Sequence, residues 1–476
     1  MTNLRLAASS TLGMFAAAVV WLSIGWGCSS PRPNGEGPAA EGRMPPNIVL
    51  LLTDDQRADA LGCAGHPVLR TPHLDAMARR GQRFAHAFVS TSICAASRAS
   101  ILTSLHEGVH GYTFGTSPLA DQFTTESYPA LLRAAGYRTG LVGKVGVKMP
   151  AGALARLFDH CEPMTPPYRA DGPDGDARHL TDRVGDAAIR FLRAEDSRPF
   201  CLSVSFNAPH AEDSNPKQYI WPPTEDGLYR EPPIASAGPE EAALFEAQPS
   251  FLRESLNRER WAWRFDTPAK AQSMIAGYYR MISGVDRVVG RIVDALADRG
   301  VADETVIIFS SDNGYFLGER GFAGKWLIHE PSIRVPLVVV APHLPDVRGG
   351  VVQQAVALNL DLAPTILDFA GVAIPEHYQG RSLLPLLRGA APDWRDDFYY
   401  EHRFAHARIP KSEGVRDARW TYARYFEQDP VFEELYDRDA DPAQRHNLAG
   451  APESAPVLTR LRARCDELGR IAHRRN

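Results

Sequence analysis

Four short stretches carry side chains whose chemistry goes beyond what an apolar core requires. "NIVLLLTDDQ" runs five apolar residues and a threonine into Asp54 and Asp55, and "TVIIFSSDNG" ends in Asp312, Asn313 and a glycine. Adjacent acids after an apolar run are costly without a cation or hydrogen-bond donors. Consecutive strand residues point to opposite faces, so Asp54 and Asp55 share one site only if the strand stops and the chain turns there. Three carboxylates and an amide oxygen form a hard, all-oxygen set suited to Ca²⁺ or Mg²⁺ rather than zinc. A strand-end turn explains either motif alone, since Asp, Asn and Gly favour turns. "CAASR" then places the thiol of Cys94 at a helix start, with Arg98 four residues on. A thiol there can be a nucleophile, a metal ligand, a disulfide partner or the precursor of another side chain. Lys144 in "TGLVGKVG", His210 in "SFNAPH" and Lys325 in "GFAGKW" add positive charge, a recipe for binding an anion.

The elements around these residues define how they meet. "NIVLLLT", "TGLVG", "PFCLSVSF", "TVIIFSS" and "VPLVVVAP" read as strands. The continuous apolar runs among them suit strands buried on both faces. "TPHLDAMARRG", "HLTDRVGDAAIRFLRA", the long segment 271–300 and "LDLAPTILDFAG" read as helices. This alternation predicts an α/β fold, a large mixed and mostly parallel sheet flanked by helices. Ligands of such sheets gather beyond the carboxyl ends of the strands, where the chemical residues fall. Residues 215–266 are rich in Pro, Trp and Glu and read as an insertion. After Trp394 the pattern changes to "DDFYYEH", "RWTYARYF" and "FEELYD", which predicts a C-terminal antiparallel-sheet subdomain closed by a basic helix.

The 476 residues are 44% hydrophobic and 23% charged, an ordinary globular balance with material for a large core. A net charge of -5 with dispersed Lys and Arg argues against a nucleic-acid partner. The apolar run "LGMFAAAVVWLSIGWGC" reads as an export signal over residues 1–28, with Cys28 as a lipidation site and 29–45 as a tether. Trp26 is bulky for a lipoprotein cleavage site, so an uncleaved anchor stays open. Either way the expectation is a bacterial protein in the periplasm or at the cell surface, with the membrane touched through this anchor only. Of the remaining cysteines, Cys63, Cys161, Cys201 and Cys465 allow three pairings, with Cys201 expected to be a plain apolar thiol.

Five segments in order then resemble the type I sulfatases of the alkaline phosphatase superfamily: "LLTDDQRADALGCAGHP", "TPHLDAMARRGQRF", "CAASR", "SDNGYFLGERGFAGKW" and "ELYDRDADPAQRHNLAG". The resemblance covers nearly everything from Pro46, with the α/β domain over 46–393 and the subdomain over 394–476. It implies conversion of Cys94 to formylglycine by a maturation enzyme, and one Ca²⁺ held by Asp54, Asp55, Asp312, Asn313 and the modified Cys94. It also implies Arg98, Lys144, His210 and Lys325 as catalytic residues acting on a sulfate ester. A hydrated aldehyde would suit a hard cation better than a thiol.

Two departures accompany the resemblance. Ala96 stands where the family motif usually has Pro, and Gly146 stands where the family commonly has the histidine of G-K-x-H. That histidine helps deprotonate the hydroxyl that expels sulfate; His329 in "GKWLIHEPS" is a candidate substitute, with a plain surface histidine as the favoured alternative. Export points to sulfated polysaccharide or glycosaminoglycan as the substrate class. Trp221, Tyr229, Trp261 and Trp263 of the insertion are candidates for stacking on sugars, with apolar packing as the alternative. His402, Arg403, Lys411 and Arg416 are candidates for the mouth of the cleft. A phosphonate or phosphodiester hydrolase, and a non-catalytic glycan-binding lipoprotein, remain open as alternative functions.

Overall fold

In the computed structural model, which describes residues 45–169, 178–231, 239–390 and 393–474, the central sheet has eight strands. They are β1 (Asn47–Thr53), β2 (Gln82–Phe88), β3 (Arg138–Gly143), β4 (His160–Pro163), β5 (Phe200–Ser205), β6 (Thr305–Ser311), β9 (Leu337–Val340) and β10 (Val351–Leu358). A short hairpin, β7 (Phe316–Leu317) with β8 (Ala323–Gly324), lies between β6 and β9 in the chain. The spatial order is β10-β2-β9-β6-β1-β5-β3-β4. Only β9 runs against the others, pairing antiparallel with β2 and β6.

The apolar runs form β1, β5 and β6 because both faces of each strand are covered. One hydrophobic cluster on the sheet holds Val49, Leu51, Leu202 and Ile307 together with the helix Pro268–Asp298. The other holds Ile48, Leu50, Val306 and Ile308 with the helices Cys94–Thr103 and Leu362–Phe369. Alternate residues of one strand thus serve two cores. β2 and β10 were not legible as strands, because they lie at one edge and alternate polar with apolar residues.

The C-terminal sheet is antiparallel, in the order β11 (Phe398–His402), β12 (Ser412–Arg416), β13 (Trp420–Tyr425) and β14 (Phe432–Asp437). The helix Ala455–Ala472 packs on it through Leu458, Leu461 and Cys465. The expected insertion is partly helical, with helices at Pro239–Glu246, Ser250–Arg253 and Leu256–Arg264. Cys63, Cys94, Cys161, Cys201 and Cys465 are free thiols, so none of the permitted bridges forms. No described helix is long and apolar enough to cross a membrane. The expected signal, Cys28 and nearly all of the tether lie outside the described residues.

Candidate active site

The carboxyl ends of β6, β1, β5 and β3, adjacent in the sheet, bring the chemistry to one edge. β1 stops at Thr53, and Asp55 turns into the left-handed region at φ 69°. This turn lets both acids face one site. The Asp55 carbonyl accepts a 2.7 Å hydrogen bond from the Tyr278 hydroxyl, and its N–H donates to Asp312 Oδ1 at 3.3 Å. Ordered contacts therefore hold a conformation that costs a non-glycine residue energy.

Cys94 opens a helix of ten residues, all of them buried. Ala95 and Ala99 belong to the core beneath it, where small side chains permit close packing. Oxygen ligands from Asp54 and Asp312 and the Cys94 sulfur lie within 4.8 Å of one another. Asp54, Asp55 and His210 form a second such group. Arg98 donates through Nε to Asp312 Oδ2 at 2.6 Å and through Nη1 to the Ser205 hydroxyl and, at 3.3 Å, the Lys144 carbonyl. Lys144 Nζ pairs with Asp54 Oδ2. Lys325 Nζ pairs with Asp55 Oδ1 and lies 3.9 Å from Asp54 Oδ1. His210 Nε2 is 3.6 Å from Asp55 Oδ2, while its Nδ1 meets the Ala211 carbonyl, which fixes the ring's orientation.

Nearly all of this is buried: Asp312 and Asn313 are 0% exposed and Lys325 is 2% exposed. Burial works to raise Asp54, but Lys144, His210, Lys325 and Arg98 outweigh it and hold the carboxyl well below its usual range. Burial and the neighbouring Asp54 push Asp312 up to about 6, against Arg98 and the lysines. Lys325 is raised despite burial, chiefly by Asp55. Burial lowers His210 and raises the Cys94 thiol, so neither an imidazolium nor a thiolate is favoured by its surroundings.

Three buried oxygens lack any hydrogen-bond partner: Asp54 Oδ1, Asp55 Oδ2 and Asn313 Oδ1. Unpaired buried oxygens of this kind are costly, and a hard cation satisfies them. The donor set therefore fits Ca²⁺ or Mg²⁺. All nine predicted site residues meet here or flank this cluster. Ser205 and Tyr278 were missed. Ser205 obeyed the strand-end rule that exposed the others, whereas Tyr278 sits mid-helix with no signal.

Other expectations do not survive placement. His329 is 1% exposed, packed between Phe316 and Tyr436 with Nε2 3.7 Å from Glu434, and both ring nitrogens lack hydrogen-bond partners. It is wedged between the β7–β8 hairpin and the C-terminal sheet, so it does not replace the missing histidine. Gly146 has φ 71°, and a Cβ there would overlap Arg98 Cδ. The space a side chain would need is filled by Arg98. His402 is fully buried, and Arg416 is buried against Glu330 at 3.0 Å and over the Phe88 ring. Arg403 pairs with Glu401, and Lys411 with Glu427 at 2.7 Å. Trp221 donates to Asp226, the Tyr229 hydroxyl bonds Ser283, and Trp261 lies under Arg258, leaving Trp263 as the exposed member of that group. The C-terminal subdomain does reach the centre by another route. Phe404 and Ile409 pack with Ile93, Ala96 and Trp326, the flanks of Cys94 and Lys325.

The sulfatase family model matches residues 46–372, and a model of the N-sulphoglucosamine sulphohydrolase C-terminal region matches 318–470. The chain belongs to the sulfatase family. It is 28% identical to the N-acetylglucosamine-6-O-sulfatase of Bacteroides thetaiotaomicron, over 88% of this chain and 85% of that protein. Human N-sulphoglucosamine sulphohydrolase is 30% identical over 88% of each chain. Among solved structures, a protein in complex with its substrate D-glucosamine-2-N,6-O-disulfate superposes at a TM-score of 0.76, with 26% identity over 90% of this chain and 98% of that one. The phosphonate monoester hydrolase of Agrobacterium radiobacter superposes at 0.77 with 23% identity, over 90% and 96% of the two chains, a likeness of fold. This sulfatase is thus a sulfuric ester hydrolase by family, with the C-terminal antiparallel sheet that its motifs anticipated.

Proposed function

We propose that this sulfatase hydrolyses sulfate esters of carbohydrates, and that Cys94 is the precursor of its formylglycine nucleophile. The observation that carries the reading is the meeting of Cys94 with three orphaned buried oxygens and three cationic side chains at one sheet edge. Asp54, Asp55, Asp312 and Asn313, with the modified residue 94, would hold Ca²⁺. The ion would supply fixed positive charge to a sulfate oxygen and to the nucleophile. A hydrated aldehyde at residue 94 would provide one oxygen to attack sulfur and a second to expel sulfate afterwards.

The remaining roles belong to side chains already in place. Arg98, anchored on Asp312 and Ser205, orients the nucleophilic residue one helical turn before it. Lys144 and Lys325 neutralise sulfate oxygens as charge develops on them, electrostatic help whose removal costs roughly 10²–10³-fold in rate. His210, at the edge of the cluster and partly exposed, would protonate the departing alcohol once the negative charge of a bound ester offsets the burial that disfavours its imidazolium. Asp54, Asp55 and Asp312 balance Arg98, Lys144 and Lys325 charge for charge, so a bound divalent ion leaves the centre cationic, as an anionic ester requires.

The sulfated sugars named for the similar proteins support carbohydrate as the leaving group. The apolar N-terminal run ending at Cys28 supports export and lipid anchoring at the periplasm or cell surface, with a formylglycine-generating enzyme as the maturation partner. Turnover of paired aryl sulfate and aryl phosphonate substrates, with sulfated sugars alongside, tests the assignment. Sulfate release that is lost in Cys94→Ala is the expected result. Preferential phosphonate cleavage would move the chain to the other hydrolase class, and no turnover with a verified aldehyde would leave a binding protein.

A further inference from the structure

Beside the sulfate-handling centre lies a second charged group that the mechanism does not use. Arg260 and Arg264, on the helix Leu256–Arg264, both pair with Asp213, three residues past His210. Two guanidiniums share this carboxylate, which leaves a surplus positive charge. Arg264 is completely buried and spends Nη1 on the Tyr315 hydroxyl at 2.9 Å. Arg260 keeps 12% of its side chain exposed, and its Nε has no hydrogen-bond partner. Its guanidinium lies 4.9 Å from the centre of the Trp326 ring. Trp326 follows Lys325 and packs on Ile93 and Ala96, the neighbours of Cys94.

Asp213 adjoins the centre by the same measure: burial raises its carboxyl, but Arg260, Arg264 and His210 outweigh this and hold it low. The group also sits where two segments join. Leu256 N–H donates to the Arg408 carbonyl at 2.9 Å, and Arg408 pairs with Glu259. A surplus cation in such a half-buried place is costly unless an anion arrives to balance it.

We propose that Arg260 is a specificity-determining residue, oriented by Asp213 and Trp326, that binds a second anionic substituent on the sugar leaving group. The proposal rests on sulfate-ester hydrolysis at the Cys94 cluster. The recognised chemistry is a group of anionic oxygens, a carboxylate or a second sulfate, held by a planar guanidinium fork. Arg260 does not touch the ester being cleaved, so it discriminates among leaving groups without changing the bond-breaking step.

The test compares an aryl sulfate, a monosulfated glucosamine, a disulfated glucosamine and a sulfated disaccharide containing a uronate. Arg260→Gln should lower kcat/KM about tenfold or more on substrates with the second anion, through KM, and leave the aryl sulfate unchanged. Arg260→Lys should recover part of the loss. Asp213→Asn frees the guanidiniums and should lower KM for the same substrates, the opposite direction. The disulfated and uronate arms show which anion is preferred. Equal effects on every substrate, or Arg260→Gln and Asp213→Asn moving KM the same way, would overturn the proposal. Wild-type enzyme silent towards the aryl sulfate with residue 94 verified as aldehyde would overturn the hydrolytic reading and this inference with it. Normal aryl sulfate turnover by the variants excludes misfolding as the cause.

Discussion

The carboxylates of the centre stand at the ends of buried parallel strands, whereas the mouth we propose beside them comprises the helix Leu256–Arg264 and a loop of the C-terminal subdomain, both packed against the flanks of Cys94 and Lys325. The two regions obey different constraints. In the centre each charge is fixed by a partner on another element: Asp312 by Arg98 of the helix Cys94–Thr103, Asp54 by Lys144 and Asp55 by Lys325 at strand ends. At the mouth the partners are an ion pair left with surplus charge and an aromatic edge, Phe404 against the 46%-exposed Phe114. Rigid strand ends suit a reaction whose geometry must be repeated at every turnover. Connecting segments on a rigid scaffold suit recognition of a variable leaving group. Changes in the centre should therefore affect every substrate alike, and changes at the mouth should sort substrates.

The largest effect is expected at residue 94. Cys94→Ser should fold with an unchanged Tm and lose multiple turnover, because a serine oxygen has no second hydroxyl to expel sulfate. Trapped sulfated protein, seen by intact mass, would accompany the loss, and wild-type steady-state rates would break the account. Lys325→Ala should follow, with a loss of roughly 10²–10³-fold on aryl and sugar sulfates alike. A loss confined to sugar substrates would assign Lys325 to the mouth instead. Exhaustive chelation should abolish activity and lower Tm, with Ca²⁺ restoring both. Full activity in verified metal-free protein would remove the cation from the site.

Gly146 sharpens the boundary of the centre. Gly146→His restores the residue common in the family, yet it forces a side chain onto φ 71° and into Arg98. The left-handed conformation alone costs about 1–2 kcal/mol. The expected outcome is lower Tm and lower turnover, and a faster enzyme would show that the loop accommodates the histidine. The smallest effect is expected at His329. His329→Phe should leave both kinetic phases as in wild type, since the side chain contacts Phe316, Tyr436 and Glu434 rather than the cluster. A slowed second phase would return it to the mechanism.

The same contrast explains what was legible in the amino-acid sequence. β1, β5 and β6 were readable because burial on both faces imposes continuous apolar runs, and their ends then exposed Asp54, Asp55, Asp312 and Asn313. β2, β10 and β12 were missed: the first two alternate at an edge, and β12, "SEGVR", carries its buried Arg416 for an ion pair with Glu330. Arg416 and His402 looked like cleft residues because charge and imidazole suggest solvent, yet tertiary partners and packing bury them. His329 misled for a related reason. Nearness to Lys325 in the chain implied nearness in space, but four residues carry it from the site to the hairpin interface. The mouth was least legible, since Asp213 and Arg260 acquire meaning only once the insertion folds back beside His210.

What residue 94 becomes is decided by the mass of the peptide carrying it, taken from active protein purified from its native host. An aldehyde in place of the thiol, in a fraction that tracks specific sulfatase activity across preparations, is the expected result. A thiol throughout, in protein that nevertheless releases sulfate with full turnover, would contradict it.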